Sequence, residues 1–392
     1  MINFEYYNPA KIIFGRGVED GVGREVARYG QRVLLHYGGG SIKRNGLYDR
    51  VMKSLRDAGL FVAELGGVQP NPRLSLVRRG IEICKEHDID FILAVGGGST
   101  IDSSKAIAAA MRNPDDIWEY YLRDDKPLQG ALPVGVVLTI PAAGSESSDS
   151  SVITNEEGNY KRYIGGECLI PKFAFMDPEV TFSMPAAQIA NGCSDIVAHL
   201  MERYFTRVKH VDFTDRLIEA SIKTILYYGP MALATPTDYD VRAEIMWTGT
   251  VAHNNLLNTG RIGDWGSHDI EHELSAQYDI AHGAGLSIIF PAWMKYVYDT
   301  DIDKFVQFAV RVFDVELAFD DKEKIVFEMI RRLEAWYEKM GLPTRLRDVG
   351  IGEEHLREMA ERCLEERDGR DGIGQFRHLY AEDIYRIYRL AL

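Results

Sequence analysis

Asp195 and His199 in ANGCSDIVAHLMERY, and His268 and His272 in GDWGSHDIEHELSAQYDIAH, form two pairs spaced by four residues, and His282 closes the second run. Both runs have helical patterning, and on a helix a spacing of four stacks side chains on one face. Imidazole and carboxylate are ligands for Zn(II), Fe(II) or Mn(II). A site without thiolate that keeps a coordination position open suits catalysis better than structure. A single histidine is ordinarily a hydrogen-bonded core or surface residue. The joint pattern predicts a metal centre, and spacing leaves open which of His268, His272 and His282 are ligands.

A second kind of chemistry is written in glycine turns. In FILAVGGGSTIDSSKAIA an apolar strand runs through Gly97 and Gly98 into a helix capped near Ser99 or Thr100. Backbone amides at such a helix start suit a pyrophosphate. The segment is neither GxGxxG nor a P-loop, so a tight strand-to-helix connection alone would also account for it. A hydroxyl-rich loop, Thr139 to Ser151, follows another strand and suits ribose or amide groups. A metal can lower the pKa of an alcohol while a nicotinamide takes hydride from the same carbon, so the two sites together predict a dehydrogenase.

The elements that must position these residues divide near residue 185. Before it, RVLLHYGGGS, FVAELGGV, FILAVGGGS, PVGVVLTIP and KFAFMD read as strands, with helical patterns between them and a hairpin-like TNEEGNYKRY late in the half. That alternation predicts an α/β domain over 1–185 around a largely parallel sheet. After Met184-Pro185 amphipathic stretches follow one another, predicting an all-helical, metal-binding domain over 186–392.

The 392 residues are 46% hydrophobic, ordinary for a soluble globular chain of two domains. With 45 Lys+Arg against 59 Asp+Glu the formal charge is −14, which argues against nucleic-acid or anionic-membrane partners and for small-molecule chemistry. Four cysteines without a CxxC spacing fit free thiols in a reducing compartment; Cys193, near Asp195, is read as a bystander. MINFEYYNPAKIIFGRG lacks the cationic start and apolar core of a signal peptide, and a cytoplasmic protein is expected.

The motifs NPAKIIFGRG, YGGGSIKRNG, the PNP at Pro70 to Pro72, AVGGGSTIDSSKAIA, LTIPAAGSES, the MDP at Met176 to Pro178, NGCSDIVAHLMERY, GDWGSHDIEHELSAQYDIAHGAGLSIIFPAWMKY and GLPTRLRDVGI resemble the iron-containing, or group III, alcohol dehydrogenases. The butanol dehydrogenase and NADPH-dependent aldehyde reductase branch is the most similar. The resemblance implies a Rossmann-like N-terminal domain and a helical C-terminal domain, a dehydroquinate synthase-like architecture. By the family pattern Asp195, His199, His268 and His282 hold Fe(II), with Zn(II) as the alternative. His272 then has a catalytic place at the nicotinamide or in proton transfer. The same pattern matches Gly97, Gly98, Ser99 and Asp102 to the pyrophosphate and nicotinamide ribose. Thr139, Ser145, Ser148 and Lys161 match later cofactor contacts, and Asn71 lies in the matching PNP turn. Ala143, where relatives often carry Thr, and Ser148, where some carry Asn, depart from the pattern.

The activity implied is hydride transfer between NADP(H) and a small primary alcohol or aldehyde, by a homodimer. NADP(H) is expected ahead of NAD(H) because no acid occupies Gly38, Gly39, Gly40 and Ser41, while Lys43 and Arg44 follow. NAD(H) remains usable. The rival readings are a glycerol dehydrogenase-like or other polyol dehydrogenase of the same superfamily, and a non-catalytic nucleotide- or metal-binding sensor. Relatives with phosphorylated substrates would need cations facing the metal, and here only Arg203 and Arg261 stand near the metal helices in sequence.

Overall fold

Among the described residues there are eight strands, most of them where apolar and β-branched residues run together: β1 (Lys11–Phe14), β2 (Arg32–Tyr37), β3 (Phe61–Leu65), β4 (Phe91–Gly97), β5 (Val134–Ile140), β6 (Ser150–Asn155), β7 (Tyr160–Gly165) and β8 (Phe173–Met176). The structure is a computed structural model and describes residues 1–123, 125–318, 320–365 and 371–392. Six strands make one sheet in the order β1-β8-β5-β4-β2-β3, every pair parallel. β6 and β7 form a separate antiparallel hairpin at the predicted polar stretch.

β4 is buried at all seven positions, as a parallel strand covered on both faces must be. Successive side chains point to opposite faces, so Val33 and Leu35 of β2 enter one core with Val51, Leu55 and Leu93, while Leu34 enters another with Ile92 and Ile107. The helix Leu47–Asp57 turns Leu47, Val51 and Leu55, spaced by four, toward the first of these cores. β1 was not among the predicted strands. Its four residues are exposed at both ends and lie at the sheet edge against β8, so no buried run marks them.

Strand order decides where a ligand can sit. From β2 the chain passes outward to β3, returns to β4, and then moves the opposite way to β5 and β8. The direction reverses between β2 and β4, and open parallel sheets bind ligands outside the carboxyl ends of the strands at such a switch point. Those ends are Gly38 after β2 and Gly98 after β4.

Contacts group the chain into two compact units. One comprises Tyr7–Pro185 with Pro236–Asn254, the other Met1–Tyr6, Ala186–Thr235 and Asn255–Leu392. The helix Tyr239–His253 therefore packs with the α/β unit, where Thr250 Oγ1 donates to Glu146 Oε1 at 2.5 Å and Arg242 bonds the Thr181 carbonyl. In the other unit the regular elements are helical, with one isolated bridge, Ile373 to Leu379, among the described residues. No described helix is long and apolar enough to cross a membrane. The helix His282–Val297 is buried nearly all round, and the helices Ala186–Tyr204, Gly266–Tyr278 and Ala381–Ala391 pack on it. Beside them Phe205 stacks on Phe305 at 4.5 Å and meets Trp293 edge-on at 5.5 Å.

This helical unit also buries charge. Asp215 accepts from Arg261 Nη2 at 2.8 Å, Lys304 Nζ at 2.6 Å and Gln307 Nε2 at 2.8 Å. Burial alone would raise its pKa, but Lys304 and Arg261 outweigh that and hold it below the ordinary carboxylate value. Asp215→Asn should therefore lower unfolding free energy by about 3–5 kcal/mol, because two buried cations lose their nearest counter-charge. A pKa depressed in the folded state gives stability that is present above the unfolded value of about 4 and is lost as pH falls through the folded one. Denaturant titrations should thus find the gap between wild type and variant wide at pH 7 and narrower below about pH 4. An equal gap at both would remove Asp215 from this role.

Candidate functional site

The helix Ala186–Tyr204 is buried from Ile189 onward on most sides, so Asp195 and His199 face protein, one turn apart. His199 Nδ1 lies 2.9 Å from the Asp195 carbonyl oxygen and 3.0 Å from its Oδ1. A carbonyl only accepts, so Nδ1 carries the proton and the ring lone pair is on Nε2. The helix Gly266–Tyr278 carries His268 and His272, and His282 is the first residue of the helix His282–Val297. His268 Nδ1 is 2.7 Å from Glu202 Oε1, and His282 Nδ1 bonds Glu271 Oε2. Carboxylates behind imidazoles in this way fix the ring and strengthen the opposite nitrogen as a ligand.

Asp195, His268 and His282 each offer a ligand atom, all within 4.8 Å of one another. Donors about 2.0–2.2 Å from an ion lie within about 4.4 Å of each other, so the cluster is close to the size a divalent metal requires. Glu271, His272 and His282 form a second group of the same size, sharing His282. His199 belongs to neither group but is adjacent, its ring centroid 4.6 Å from that of His268. His272 lies 5.5 Å from the His282 ring and 6.4 Å from the His268 ring. The five residues singled out by spacing thus gather in one place, and two overlapping donor sets remain.

Glu202 and Glu271 are not marked by the sequence. Each lies three residues after a histidine, Glu202 after His199 and Glu271 after His268, an ordinary helical spacing that carries little signal alone. Glu202 also accepts from the backbone amides of Trp265 at 2.6 Å and His268 at 3.1 Å. Burial first, and then Asp264, push its carboxyl well above the usual range; burial raises Asp264 itself to about 6. A cation is the charge that such a buried acidic cluster lacks, so the donor set fits a divalent ion. Gly285 allows the arrangement, since a Cβ there would lie 2.3 Å from Glu271 Oε1.

In the α/β unit the two glycine turns flank the switch point. Gly97, extended at φ −95 and ψ −167, precedes the helix Gly98–Ala110, and a Cβ on it would stand 2.8 Å from Ile140 Cβ. Close packing therefore requires that glycine whatever binds nearby. Gly98 and Ser99 are half-buried in the first helical turn. Beyond β2, Gly38 leads to Gly39, where a Cβ would meet nothing within 4 Å, and to Ser41, which is exposed. These turns, with half-buried Thr139 one residue before the end of β5, are a cradle that fits a dinucleotide. Asn71, at a left-handed φ of 53, accepts from Lys161 Nζ at 3.1 Å, both residues being buried.

The side chains of Asp102, Ser145 and Ser148 form one hydrogen-bonded group with Lys105. Asp102 Oδ1 accepts from Ser145 Oγ at 2.6 Å and Oδ2 from the Val152 amide at 3.0 Å. Both serine hydroxyls accept from Lys105 Nζ, at 3.0 and 3.1 Å. Burial raises the Asp102 pKa, with Lys105 opposing. The sequence does not mark Lys105, because one lysine in SSKAIAAA carries no signal of burial.

The chain matches the family model for iron-containing alcohol dehydrogenase over residues 9–178 and the model for the C-terminal part of the Fe-containing alcohol dehydrogenase family over residues 189–392. A probable NADH-dependent butanol dehydrogenase 2 of Bacillus subtilis is 44% identical over 392 residues, covering 100% of both chains. The NADPH-dependent aldehyde reductase YqhD of Escherichia coli is 36% identical, again over 100% of both. The crystal structure of an NADH-dependent butanol dehydrogenase A from Thermotoga maritima aligns at a TM-score of 0.95 with 39% identity, over 99% of this chain and 98% of that one.

Proposed function

Since the chain belongs to the iron-containing alcohol dehydrogenase family, we propose that it transfers a hydride between NADP(H) and a small primary alcohol or aldehyde, with Asp195, His199, His268 and His282 holding one divalent ion. It is an oxidoreductase of the alcohol dehydrogenase and aldehyde reductase class. The observation that carries the reading is the convergence of Asp195, His268 and His282 within 4.8 Å, with the Nδ1 atoms of His199, His268 and His282 on oxygen partners. Fe(II) is the ion proposed, and Zn(II), which such donors bind more tightly, competes for it.

When bound, the metal supplies Lewis acidity toward a carbonyl oxygen and the reduced nicotinamide supplies the hydride. Glu202 and Glu271 hold the His268 and His282 rings in register. His272, buried beside them, gives a proton to the substrate oxygen in reduction and takes it in oxidation. Gly97, Gly98 and Ser99 receive the pyrophosphate, Gly38, Gly39 and Ser41 the adenosine ribose, and Asn71, Thr139 and Lys161 the nicotinamide side. The same reading includes a homodimer, the commonest soluble oligomer, and a cytoplasmic location, supported by four free cysteines. Metal-loaded enzyme should oxidise NADPH when butyraldehyde is added, and absence of aldehyde-dependent oxidation with either cofactor would overturn the reading.

Preference for NADP(H) over NAD(H) rests on the end of β2. Arg44 folds back so that its Nη1 lies 3.1 Å from where a Gly40 Cβ would be, while Lys43 sits over the Tyr37 and Tyr48 rings at 5.1 and 4.6 Å. The nearby Glu64 carboxylate accepts from both tyrosine hydroxyls, at 3.0 and 2.8 Å. Arg44 is therefore the cation that this reading assigns to a 2′-phosphate. Arg44→Ala should raise the KM for NADPH by about tenfold, the worth of one charge-assisted contact, and leave that for NADH nearly unchanged. Gly39→Asp should act in the same direction by repulsion. Wild-type kcat/KM for NADH equal to or above that for NADPH would refute the preference.

A further inference from the structure

Lys105 is fully buried in the helix Gly98–Ala110, two turns beyond the residues that face the switch point. Its Nζ has four oxygens within reach: Ser145 Oγ at 3.0 Å, Ser148 O at 2.9 Å, Ser148 Oγ at 3.1 Å and Ser150 O at 2.9 Å. An ammonium has three protons, so every one of them is engaged and one is shared. Ser145 passes the connection on to Asp102 Oδ1 at 2.6 Å, and the other Asp102 oxygen accepts the Val152 amide at 3.0 Å. The four oxygens that accept from Lys105 all belong to the segment after β5, which passes Gly98 closely: the Ala143 Cβ is 3.4 Å from where a Gly98 Cβ would stand.

Removing an ammonium from water is costly, and hydroxyls or apolar contacts are cheaper ways to hold a loop. What an ammonium offers is several acceptors fixed from one point, with Asp102, Glu146 and Asp149 near enough to favour its charge. We propose that Lys105 is a positioning residue for the nicotinamide cofactor: it fixes the Ser145–Ser150 segment against the helix that starts at Gly98, so the wall of the cofactor cradle is formed before the cofactor arrives. Ser145 and Ser148 then serve through Lys105 rather than by touching the nucleotide. This rests on the cofactor reading above.

The test measures NADPH binding by its fluorescence, and steady-state KM values, for metal-loaded wild type, Lys105→Met and Ser148→Ala. Fixing two or three side chains and their loop only on binding should weaken NADPH by about tenfold or more in Lys105→Met, with a smaller loss in the same direction for Ser148→Ala. Metal content, and the KM for butyraldehyde at saturating NADPH, should stay within about twofold, since the metal donors share none of the changed contacts. A merely structural lysine would lower the melting temperature and the active fraction and leave the NADPH dissociation constant unmoved. If Lys105→Met does not fold, Ser148→Ala decides by the same constant. Unchanged NADPH affinity in a folded variant overturns the role of Lys105, whereas wild type that binds no NADPH overturns the cofactor reading itself.

Discussion

Replacing His268 with alanine should strip the metal from the enzyme and lower aldehyde reduction by roughly a thousandfold or more. The His268 ring is buried, is backed by Glu202 at 2.7 Å, and stands in the group with Asp195 and His282. Alanine removes one donor and leaves Glu202 facing a cavity, still bound to the amides of Trp265 and position 268. Loss of several kcal/mol of Lewis-acid stabilisation accounts for a thousandfold, since each 1.36 kcal/mol is a factor of ten. Glu202→Gln should be milder: the ring loses its charged partner but the donor remains, so metal affinity should fall about 10–100-fold. Metal analysis and NADPH oxidation on the same preparation read both effects. Stoichiometric metal with near-normal turnover in His268→Ala would exclude His268 from the ligands.

His272→Ala separates the two overlapping donor groups. If His272 moves a proton and His282 holds the metal, the variant should keep stoichiometric metal while its rate falls by about a hundredfold or more, the usual worth of a general acid-base group. If instead Glu271, His272 and His282 are the operative set, the metal is lost along with activity. His282→Ala, made in parallel, should lose metal under either arrangement because both groups contain it. The informative comparison is therefore metal content in His272→Ala, not rate.

Much of this arrangement is legible in the sequence. β2, β4, β5 and β8 stand out because parallel strands covered on both faces must be apolar throughout. β1 does not, since KIIF at an exposed edge buries too little to mark itself. Periodicity identifies the helix Tyr239–His253 but says nothing of its partner, and it packs with the α/β unit. Asp195, His199, His268, His272 and His282 stand out because histidine and aspartate at helical spacing are rare in combination. Their supports were not: Glu202 and Glu271 are ordinary acids until the fold brings them behind His268 and His282. Hydroxyls give no direction in a sequence either. The sequence matches Ser145 and Ser148 to cofactor contacts and gives no sign that both hydroxyls also accept from Lys105.

Everything in the functional reading depends on a catalytic metal in the helical unit, and one measurement reaches it directly. The purified enzyme is stripped with a chelator, shown by elemental analysis to hold no metal, assayed for butyraldehyde-dependent NADPH oxidation, and assayed again after anaerobic addition of Fe(II). The expected result is one ion per chain before stripping, turnover reduced to background after it, and recovery on adding Fe(II) to wild type but not to His268→Ala. Undiminished turnover in the verified metal-free enzyme would contradict it.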